Sequence, residues 1–596
     1  MPRPLTVGVA PVSIAIFLLT SCSAPLRPRD AADDGKGLGP AVTSALEREL
    51  AQLPTTAAPL PPPAASTDVE QTLISRRTEL EAIGPQWTQG GTGLDVGPGL
   101  DVAAPTEVQL GLKTAIQKAV QNNLAVQAAR VTQAISDAQL AQAEAAFDAT
   151  LFADTNFTRS TQPGIGTVVG GGVLINSLRN NREWAFTTGI QKPLVTGGRV
   201  EVSTSMSRNT IFPTSAYSPD PAWSTAVNLG LVQPLLRGFG TDVNMAQIRV
   251  ARNTDRIAYE QMRSQLLQTV ANAEAAYWRL ALARQRLVAA KWLVEVGTES
   301  RDVLARRREF DATLAQYANA VATVEQRKAS VIEAQRAVQL ANNTLKAVMN
   351  DPDLPVGGEA SIVPMDLPVD APVQQDLRQA IISAAEKSPE VAAALLNIDS
   401  TSIGVTVADN QRLPQLDLEG RLGWFGLDGD FGQAYSDITS GDFVEYVVGA
   451  RFSQAIGNQA AEAGYREARL SRSKAVLAYR ASVQSAVLQV KNALQDVRTN
   501  YDLIRQNRAF RLAQAENLRA LLVSEKTLAA LTPEFLQLKF QLQDTLARAQ
   551  LQWVGSLTEY NVAMSELYRA MGTGLDMNQI EIKVIDPKTE GTLASK

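Results

Sequence analysis

The side chains that carry out most protein chemistry are scarce in this sequence. The chain has no histidine and one cysteine, Cys22, among its 596 residues. Histidine acid–base catalysis, zinc sites built from histidine and cysteine, and cysteine–histidine nucleophile pairs are therefore excluded. Carboxylates and serines remain, but the sequence shows no compact pocket-forming pattern of strands and helices around them. We expect no enzyme, no catalytic residue, no metal site and no cofactor.

The charge of the chain limits its partners. Lysine and arginine number 56 and aspartate and glutamate 61, so the formal net charge is −5. This balance lacks the basic field that nucleic-acid binding requires, and we expect no nucleic acid as a partner. The contents of 45% apolar and 20% charged residues are typical of a folded protein.

The single cysteine ends a segment that predicts export. Arg3 gives a weakly positive start, and residues 7–19 form a mostly apolar run that is too short for a transmembrane helix but suits a signal-peptide core. Residues 19–22 (Leu-Thr-Ser-Cys) resemble the lipobox of bacterial lipoproteins, in which the cysteine becomes the lipidated N-terminus. Ser23 in place of aspartate implies, by the same resemblance, sorting to the outer membrane. The alternative is a buried cysteine beside a signal cleavage site.

An internal duplication organises most of the chain. Three segments recur in the same order: residues 112–120 and 377–385, 232–237 and 453–458, and 345–350 and 567–572. The last two pairs are about 221 residues apart and the first pair about 265, so the first copy carries roughly 44 additional residues before residues 232–237. Two copies of one unit therefore fill nearly everything from residue 110 to 572.

Each copy combines one long helix with two helices of about half its length. Apolar residues follow one another at three- and four-residue steps in the second copy, as in Val483, Val487, Val490 and Leu494, which is a coiled-coil pattern. The long helices would reach on the order of 100 Å. Two short helices end to end match one long helix, which predicts a tall, thin wall. The long helices are expected at about 241–309 and 460–530, and the short ones at about 110–146, 312–349, 377–412 and 533–570.

Between the helices lie segments of about ten residues in which apolar and polar residues alternate. In residues 223–231, Trp, Thr, Val, Leu and Leu occupy one face and Ser, Ala, Asn and Gly the other. Strands of this length cross a bilayer when tilted, and the pattern is typical of a water-filled membrane β-barrel. A soluble antiparallel sheet with one wet face alternates identically and is the alternative. The strands are expected at about 150–159, 184–192, 199–208, 223–232, 416–424 and 444–452.

The first copy has two more strands than the second, at about 184–208. Its tight turn at 193–198 and its long outer loops at about 161–182 and 209–222 match the short inner turns and long outer loops of outer-membrane barrels. Two additional strands also return the chain to the side on which the next helix starts. Whether this hairpin joins the barrel wall or folds over or into the barrel stays open.

The order of these elements resembles the TolC-like outer-membrane efflux family. The resemblance rests on the repeated Leu-x-x-Ala-Ile opening, on the strand-to-helix junction of Gln233, Pro234 and Gly238, on its degenerate partner at residues 454–458, and on the duplication; it covers about residues 105–575. It implies a mixed α/β membrane protein: a homotrimeric transmembrane β-barrel continued by a periplasmic α-helical barrel. The family's four strands per chain give twelve; six per chain would give eighteen.

The same resemblance implies a function and partners. The chain would be the outer-membrane channel of a tripartite efflux or type I secretion system, a passive duct that docks at its helical tips onto a periplasmic adaptor of an inner-membrane pump. It would be lipid-anchored in the outer membrane of a Gram-negative bacterium and extend into the periplasm. A periplasmic coiled-coil scaffold or adaptor lipoprotein without a barrel is the alternative. The cargo stays open.

The resulting division of the chain has six parts. They are a signal peptide (1–21), an extended N-terminal strap (22–104), a first repeat with the additional hairpin (105–350), an equatorial linker (351–375), a second repeat (376–573) and a C-terminal tail (574–596).

The repeat alignment also places two helical tips. Asp311 and Thr532 lie about 221 residues apart, both are good N-cap residues, and Pro533 suits the first helical position. The resemblance makes these tips the periplasmic gate and the adaptor-docking surface. We expect a mainly apolar constriction that gates by dewetting, or else packing of the same apolar residues between helices. The gate residues, besides these two caps, would be Leu314, Leu531, Glu534, Phe535 and Leu538.

Overall fold

The computed structural model describes residues 44, 47, 48, 50, 51, 68–86, 93–98, 106–162, 167–169, 172–174, 179–212, 219–307, 313–373, 375–525 and 532–582. The predicted signal peptide, Cys22, Asp311, Leu531 and residues 583–596 of the tail lie outside these described residues.

Along the chain, helices lead to strands and strands lead back to helices twice, once in each repeat. The strands are β1 (Glu107–Leu110), β2 (Thr150–Gln162), β3 (Thr167–Val169), β4 (Gly172–Leu174), β5 (Arg179–Pro193), β6 (Arg199–Phe212), β7 (Ala222–Pro234), β8 (Ser361–Pro364), β9 (Gln415–Asp428) and β10 (Val444–Ser453). The helices are α1 (Asp68–Leu73), α2 (Arg77–Glu81), α3 (Leu112–Asn122), α4 (Leu124–Glu144), α5 (Thr241–Asn244), α6 (Ala246–Arg307), α7 (Leu314–Met349), α8 (Leu377–Lys387), α9 (Pro389–Gln411), α10 (Phe431–Ser440), α11 (Gln459–Glu525), α12 (Pro533–Ala570) and α13 (Gly574–Met577).

Two long helices set the height of the helical part. α6 has 62 residues and α11 has 67, so each is on the order of 90–100 Å long. Each is followed by a helix of about half its length, α7 with 36 residues and α12 with 38. The predicted division into long and half-length helices is confirmed.

The two helices that precede the strands differ from the prediction, because each is broken. Residues 110–146 were expected to form one helix, but α3 ends at Asn122 and α4 begins at Leu124; Asn123 between them caps α4 by accepting hydrogen bonds from the backbone N–H groups of residues 125 and 126. Residues 377–412 break at Ser388, and Pro389 begins α9 at a position where its missing N–H costs nothing. The breaks occupy equivalent places in the two repeats.

The predicted coiled-coil seam of α11 is buried. Val483, Val490 and Leu494 are each less than 5% exposed. Val490 and Leu494 pack in a cluster with Ile381 of α8 and Tyr560 of α12. The periodic apolar residues of the long helix therefore hold the second repeat together.

A feature that the sequence pattern did not predict joins the linker to the first repeat. β8, inside the linker that was expected to be irregular, is buried and pairs in parallel with β1. Tyr277 of α6 donates a hydrogen bond to the Asp366 carboxylate (2.8 Å) and accepts one from the Met365 N–H (3.0 Å). The linker then reaches α12, where the Tyr560 hydroxyl donates to the Ala371 carbonyl (2.5 Å).

Six strands form one antiparallel sheet in the order β10-β9-β7-β6-β5-β2. The first repeat supplies β2, β5, β6 and β7, and the second supplies β9 and β10. The additional hairpin is therefore part of the sheet, between β2 and β7, and does not fold over it. Its tight turn requires glycine at position 197, because Gly197 has a φ of +92° and a Cβ there would clash with the Gly238 carbonyl oxygen.

Candidate functional site

The register gives the sheet one face that is apolar across all six strands. Starting from Val227 of β7, the paired residues are Thr204 of β6 and Trp424 of β9, and the alternation continues from strand to strand. Several of these side chains are largely uncovered: Tyr446 is 79% and Val448 is 80% exposed. This apolar face includes Leu151, Phe157, Trp184, Phe186, Ile190, Val200, Val202, Met206, Val227, Leu229, Leu231, Leu418, Leu422, Trp424, Val444, Tyr446, Val448 and Phe452.

The opposite face, here called the polar face, carries mostly small, polar and charged side chains, although a few apolar ones such as Phe425 and Val447 also lie on it. The Arg451 guanidinium of β10 lies 3.2 Å from the Glu419 carboxylate of β9. The other residues of this face include Asp154, Asn156, Thr187, Glu183, Glu201, Ser203, Ser205, Ser207, Asn228, Gly230, Asp417, Arg421 and Glu445. One face thus suits hydrocarbon and the other suits water.

The extent of uncovered apolar surface argues against the alternative of a soluble sheet. A soluble sheet buries its apolar face against another layer. In this chain α10 covers that face at one end: the Thr225 hydroxyl donates to the Ala434 carbonyl (2.7 Å), and the Phe431 and Trp223 rings are 5.5 Å apart. Farther along, the described elements leave the face uncovered, and Phe452 is 66% exposed. An apolar patch of this size marks a membrane or partner surface.

The strand-to-helix junction joins the two repeats. The Gln233 side chain accepts a hydrogen bond from the Thr196 hydroxyl (2.9 Å) and donates one to the carbonyl of Pro234 (3.0 Å), the last residue of β7. Gly238 adopts a φ of +82°, and its N–H donates to the Asn410 side chain at the end of α9 (2.7 Å). The predicted junction residues therefore lie together, and they connect β7, the hairpin turn and the second repeat.

The second tip is capped as predicted. The Thr532 hydroxyl accepts a hydrogen bond from the Phe535 N–H (3.2 Å), and Pro533 is the first residue of α12. Glu534 and Leu538 are exposed, Leu538 to 44%. Phe535 instead packs against the buried cluster between the tips, which consists of Leu304, Ala320, Leu536 and Phe540.

The first tip differs from the prediction. Helix α7 begins at Leu314 and is capped by Thr313, and Asp311 is therefore not the N-cap. Thr313 and Gln316 form a capping box, in which each side chain bonds to the backbone N–H of the other, and this reciprocal pair outcompetes a lone aspartate two residues earlier. Leu314 is 70% exposed.

One buried arginine, missed at the sequence level, links the two helical hairpins. The Arg327 guanidinium of α7 donates to the Leu293 carbonyl of α6 (2.9 Å) and, in α12, to the Gln543 side chain (3.0 Å), the Phe540 carbonyl (3.3 Å) and the Asp544 carboxylate (2.8 Å). Burial lowers the pKa of the guanidinium, and the nearby Asp544 charge opposes that effect. In sequence, Arg327 looked like any other polar residue of a helix.

The described residues offer little for other chemistry. They contain no group of three or more histidine, cysteine, aspartate or glutamate side chains placed to hold a metal ion. Among the described helices, α9 is long and apolar enough to cross a membrane by length and composition. Its Val391 and Ile398, however, pack with Tyr479 and Val483 of α11.

The fold is that of known outer-membrane proteins, as the resemblance predicted. No protein-family model matches the chain. The chain is 25% identical over 362 residues to the outer membrane protein OprJ of Pseudomonas aeruginosa. This alignment covers 60% of this chain and 71% of OprJ. A membrane protein from Pseudomonas aeruginosa superposes with a TM-score of 0.57 at 18% identity, over 77% of this chain and 93% of that one. The Campylobacter jejuni CmeC outer membrane channel superposes with a TM-score of 0.56 at 15% identity, over 78% and 86%.

Proposed function

We infer that this chain, which has the TolC-like outer-membrane channel fold, is the outer-membrane channel of a tripartite efflux or secretion system. The observation that carries the inference is the two-faced, six-stranded sheet continued by helices on the order of 100 Å long. A wall of this kind gives a cargo a path from the periplasm through the outer membrane. The chain supplies the path, and an inner-membrane transporter supplies the energy.

Three copies of the chain complete the barrel in this proposal. A sheet of six strands has two open edges, β2 and β10, whereas membrane barrels close with an even number of at least eight strands. Because neighbouring strands alternate in direction, β2 and β10 also run oppositely, so β10 of one chain can pair with β2 of the next in antiparallel fashion. Three chains then form a barrel of eighteen strands, rather than the twelve of four-stranded chains.

The helical tips are the proposed docking surface for a periplasmic adaptor. They lie at the end of the hairpins farthest from the sheet, and Arg306 and Arg307 of α6 lie next to the first tip. In the gate that we propose, the exposed Leu314 and Leu538 narrow the pore and Glu534 adds a negative charge beside them. Phe535 would act from behind this constriction, because it packs against the neighbouring hairpin.

An N-terminal lipid anchor at Cys22 is a further part of the proposal. The support is its position directly after an apolar run that ends in small residues. Several acyl chains on one cysteine would anchor the chain stably to the periplasmic side of the outer membrane. Metabolic labelling with a radioactive fatty acid, compared between the natural chain and Cys22→Ser, tests the anchor separately from the channel.

Fractionation and conductance test the channel. We expect the full-length protein in the outer-membrane fraction as a heat-modifiable trimer that requires detergent, and the purified trimer should conduct ions across a planar bilayer. A periplasmic scaffold or adaptor would be released from the membrane by removal of its anchor, would stay soluble without detergent and would not conduct. That result would refute the proposed function.

A further inference from the structure

The helix α10 connects the two strands of the second repeat, and both of its ends are capped. The Asp430 carboxylate accepts hydrogen bonds from the backbone N–H groups of Gly432 (2.8 Å) and Gln433 (3.2 Å), and Gly441, at φ +74°, ends the helix. A helix of ten residues is marginal by itself in water. The place of α10 in the fold therefore depends on the surface against which it packs.

The sheet holds α10 through contacts with the backbone of the helix. The Thr225 hydroxyl of β7 donates to the Ala434 carbonyl (2.7 Å), and both residues are 1% exposed or less. Thr225 pairs with Gly426 of β9, where a Cβ would clash with the same carbonyl. Because Thr225 and Gly426 belong to the apolar face, α10 lies on the side of the sheet that faces lipid in the proposed channel.

Around its axis α10 has one aromatic flank and one polar flank. Phe431 and Tyr435 are one helical turn apart, and their ring centres are separated by 6.1 Å. With Ala434 directed at the sheet, a rotation of about 100° per residue places Gln433 and Ser440 on the opposite flank. Phe431 is 41% and Tyr435 is 48% exposed, so the described part of the chain leaves about half of the aromatic flank uncovered.

The strand under α10 sets the height of the helix in the membrane. Trp223, at the end of β7 farthest from the long helices, and Val232 delimit ten residues, the number with which a tilted strand spans the apolar band of an outer membrane, about 25 Å. Thr225 lies one row inside Trp223, so α10 lies within the outer margin of that band. Aromatic side chains of membrane proteins concentrate at this level, and the Phe431 ring is 5.5 Å from that of Trp223.

A lipid fits the aromatic flank better than a second copy of the chain does. In the proposed trimer the neighbouring chains attach at the open edges, β10 and β2, whereas Phe431 stands beside Trp223 of β7, two strands from the nearer edge. The flank also continues into the apolar face that the membrane covers. Directly inside α10, that face presents Val227, Trp424 and Val444 in one row across three strands.

We propose that α10 is an interfacial helix of the outer leaflet, with Phe431 and Tyr435 inserted at the boundary between lipid headgroups and acyl chains; this inference rests on the proposed membrane channel. Amphipathic helices of this kind bury their apolar side by about 5–10 Å in that boundary. Because Thr225 and Gly426 fix α10 to the sheet, the inserted flank also fixes the depth of the barrel in the membrane. In a trimer the helix occurs three times around the barrel.

Quenching of a fluorophore on α10 tests the inference in the full-length protein. Tyr435→Cys carries a nitrobenzoxadiazole label on the aromatic flank, and Gln433→Cys, also at an exposed position, carries the same label on the polar flank as the matched control. The natural chain, taken through the same labelling, gives the background from Cys22, its single cysteine. Each preparation is reconstituted in phosphatidylcholine vesicles with or without a nitroxide near the top of the acyl chains, and iodide is the quencher in the water.

We expect the nitroxide lipid to quench the Tyr435→Cys label about twofold or more as strongly as the Gln433→Cys label, and iodide to show the opposite order. Quenching of the Tyr435→Cys label by iodide alone would overturn the inference, because the flank would then face water. Protection from both quenchers would overturn it too, because protein would then cover the flank. Planar-bilayer conductance of the same preparations separates the two levels: conduction without lipid quenching overturns this inference alone, whereas no conduction in any preparation overturns the proposed function.

Discussion

The two repeats have nearly the same helices but different numbers of strands. Each has an interrupted helix that leads to the sheet, one helix of more than 60 residues and one of fewer than 40. The first repeat contributes four strands to the sheet, whereas the second contributes two strands joined by α10. The helices must match in length because they stand side by side in one wall. The sheet can accept a hairpin because two antiparallel strands leave the direction of the chain unchanged.

The largest expected effect comes from making the two repeats alike. Deletion of residues 179–212, which form β5 and β6, leaves β2 and β7 antiparallel and able to pair. Four strands per chain should then close a barrel of twelve strands, and its diameter should fall to about two thirds, because barrel diameter grows roughly linearly with strand number. Electron microscopy of the trimer measures this diameter. An unchanged diameter would mean that the hairpin is not part of the wall.

The two faces of the hairpin should respond differently to charge. Val202→Lys places an ammonium group on the apolar face, and we expect it to destabilise the protein in bilayers by about 2–4 kcal/mol. Ser205→Lys in the same strand is the matched control on the polar face, with an expected cost of under about 1 kcal/mol. Urea unfolding from lipid vesicles measures both values. Equal costs would contradict a hairpin with one face in lipid.

The two repeats also differ in the helical part, at the position of Arg327. Its counterpart in the second repeat, about 221 residues later, is Arg548, which is exposed. Arg327→Ala leaves buried acceptors without their donor and should destabilise the protein by roughly 2 kcal/mol, with a higher leak conductance as the hairpins separate. Arg548→Ala should change the free energy of unfolding by about 0.5 kcal/mol or less, and it should leave the leak conductance as it is in the natural chain. The reverse order of effects would remove Arg327 as the connection between the hairpins.

Substitution of the apolar residues at the two tips should have a smaller effect than the loss of Arg327. Leu538→Ser replaces an exposed side chain of the second tip, and we expect single-channel leak to rise by a factor of roughly two as the constriction becomes wettable. Leu314→Ser is the corresponding change in the first tip. Phe535→Ser should instead lower thermal stability, because Phe535 packs against the buried cluster. No change in leak for both leucine variants would refute the apolar gate.

The smallest effect concerns one carboxyl group in α6. Burial raises the pKa of Glu274, and hydrogen bonds from Ser565 and Asn578 offset this only in part. An acid with a raised pKa stabilises the folded chain at low pH, and that contribution is lost as the pH rises through the folded pKa. Glu274→Gln should therefore raise Tm by roughly 2 °C near pH 8 and leave it unchanged below about pH 4.

The exposed Asp496, about 222 residues later in α11, provides the control for Glu274. Asp496→Asn should leave the pH dependence of Tm as it is in the natural chain. A pH dependence that Glu274→Gln does not alter would show that the buried carboxyl group is not its source.

Periodic features could be predicted from the sequence, whereas features that depend on a distant partner could not. Alternation at two residues located all six strands, and helix lengths predicted the wall. β8 has no alternation of its own, and its burial comes from pairing with β1 some 250 residues earlier. The position of α10 over Thr225 likewise depends on a tertiary contact.

The candidate site shows the same division. The cap at Thr532 follows from local chemistry and was predicted, but Thr313 was missed because Asp311 matched the repeat spacing. The packing of Phe535 against the first hairpin and the contacts of Arg327 depend on how the two hairpins pack together, which the sequence does not show.

The central claim is that all six strands of each chain lie in the wall of one trimeric barrel. Electron cryo-microscopy of the full-length protein in lipid nanodiscs tests it most directly, at a resolution that separates strands. We expect eighteen strands, with Ile190 and Val202 of the additional hairpin facing the lipid. A barrel of twelve strands, with the hairpin folded into the lumen or over the rim, would contradict the claim.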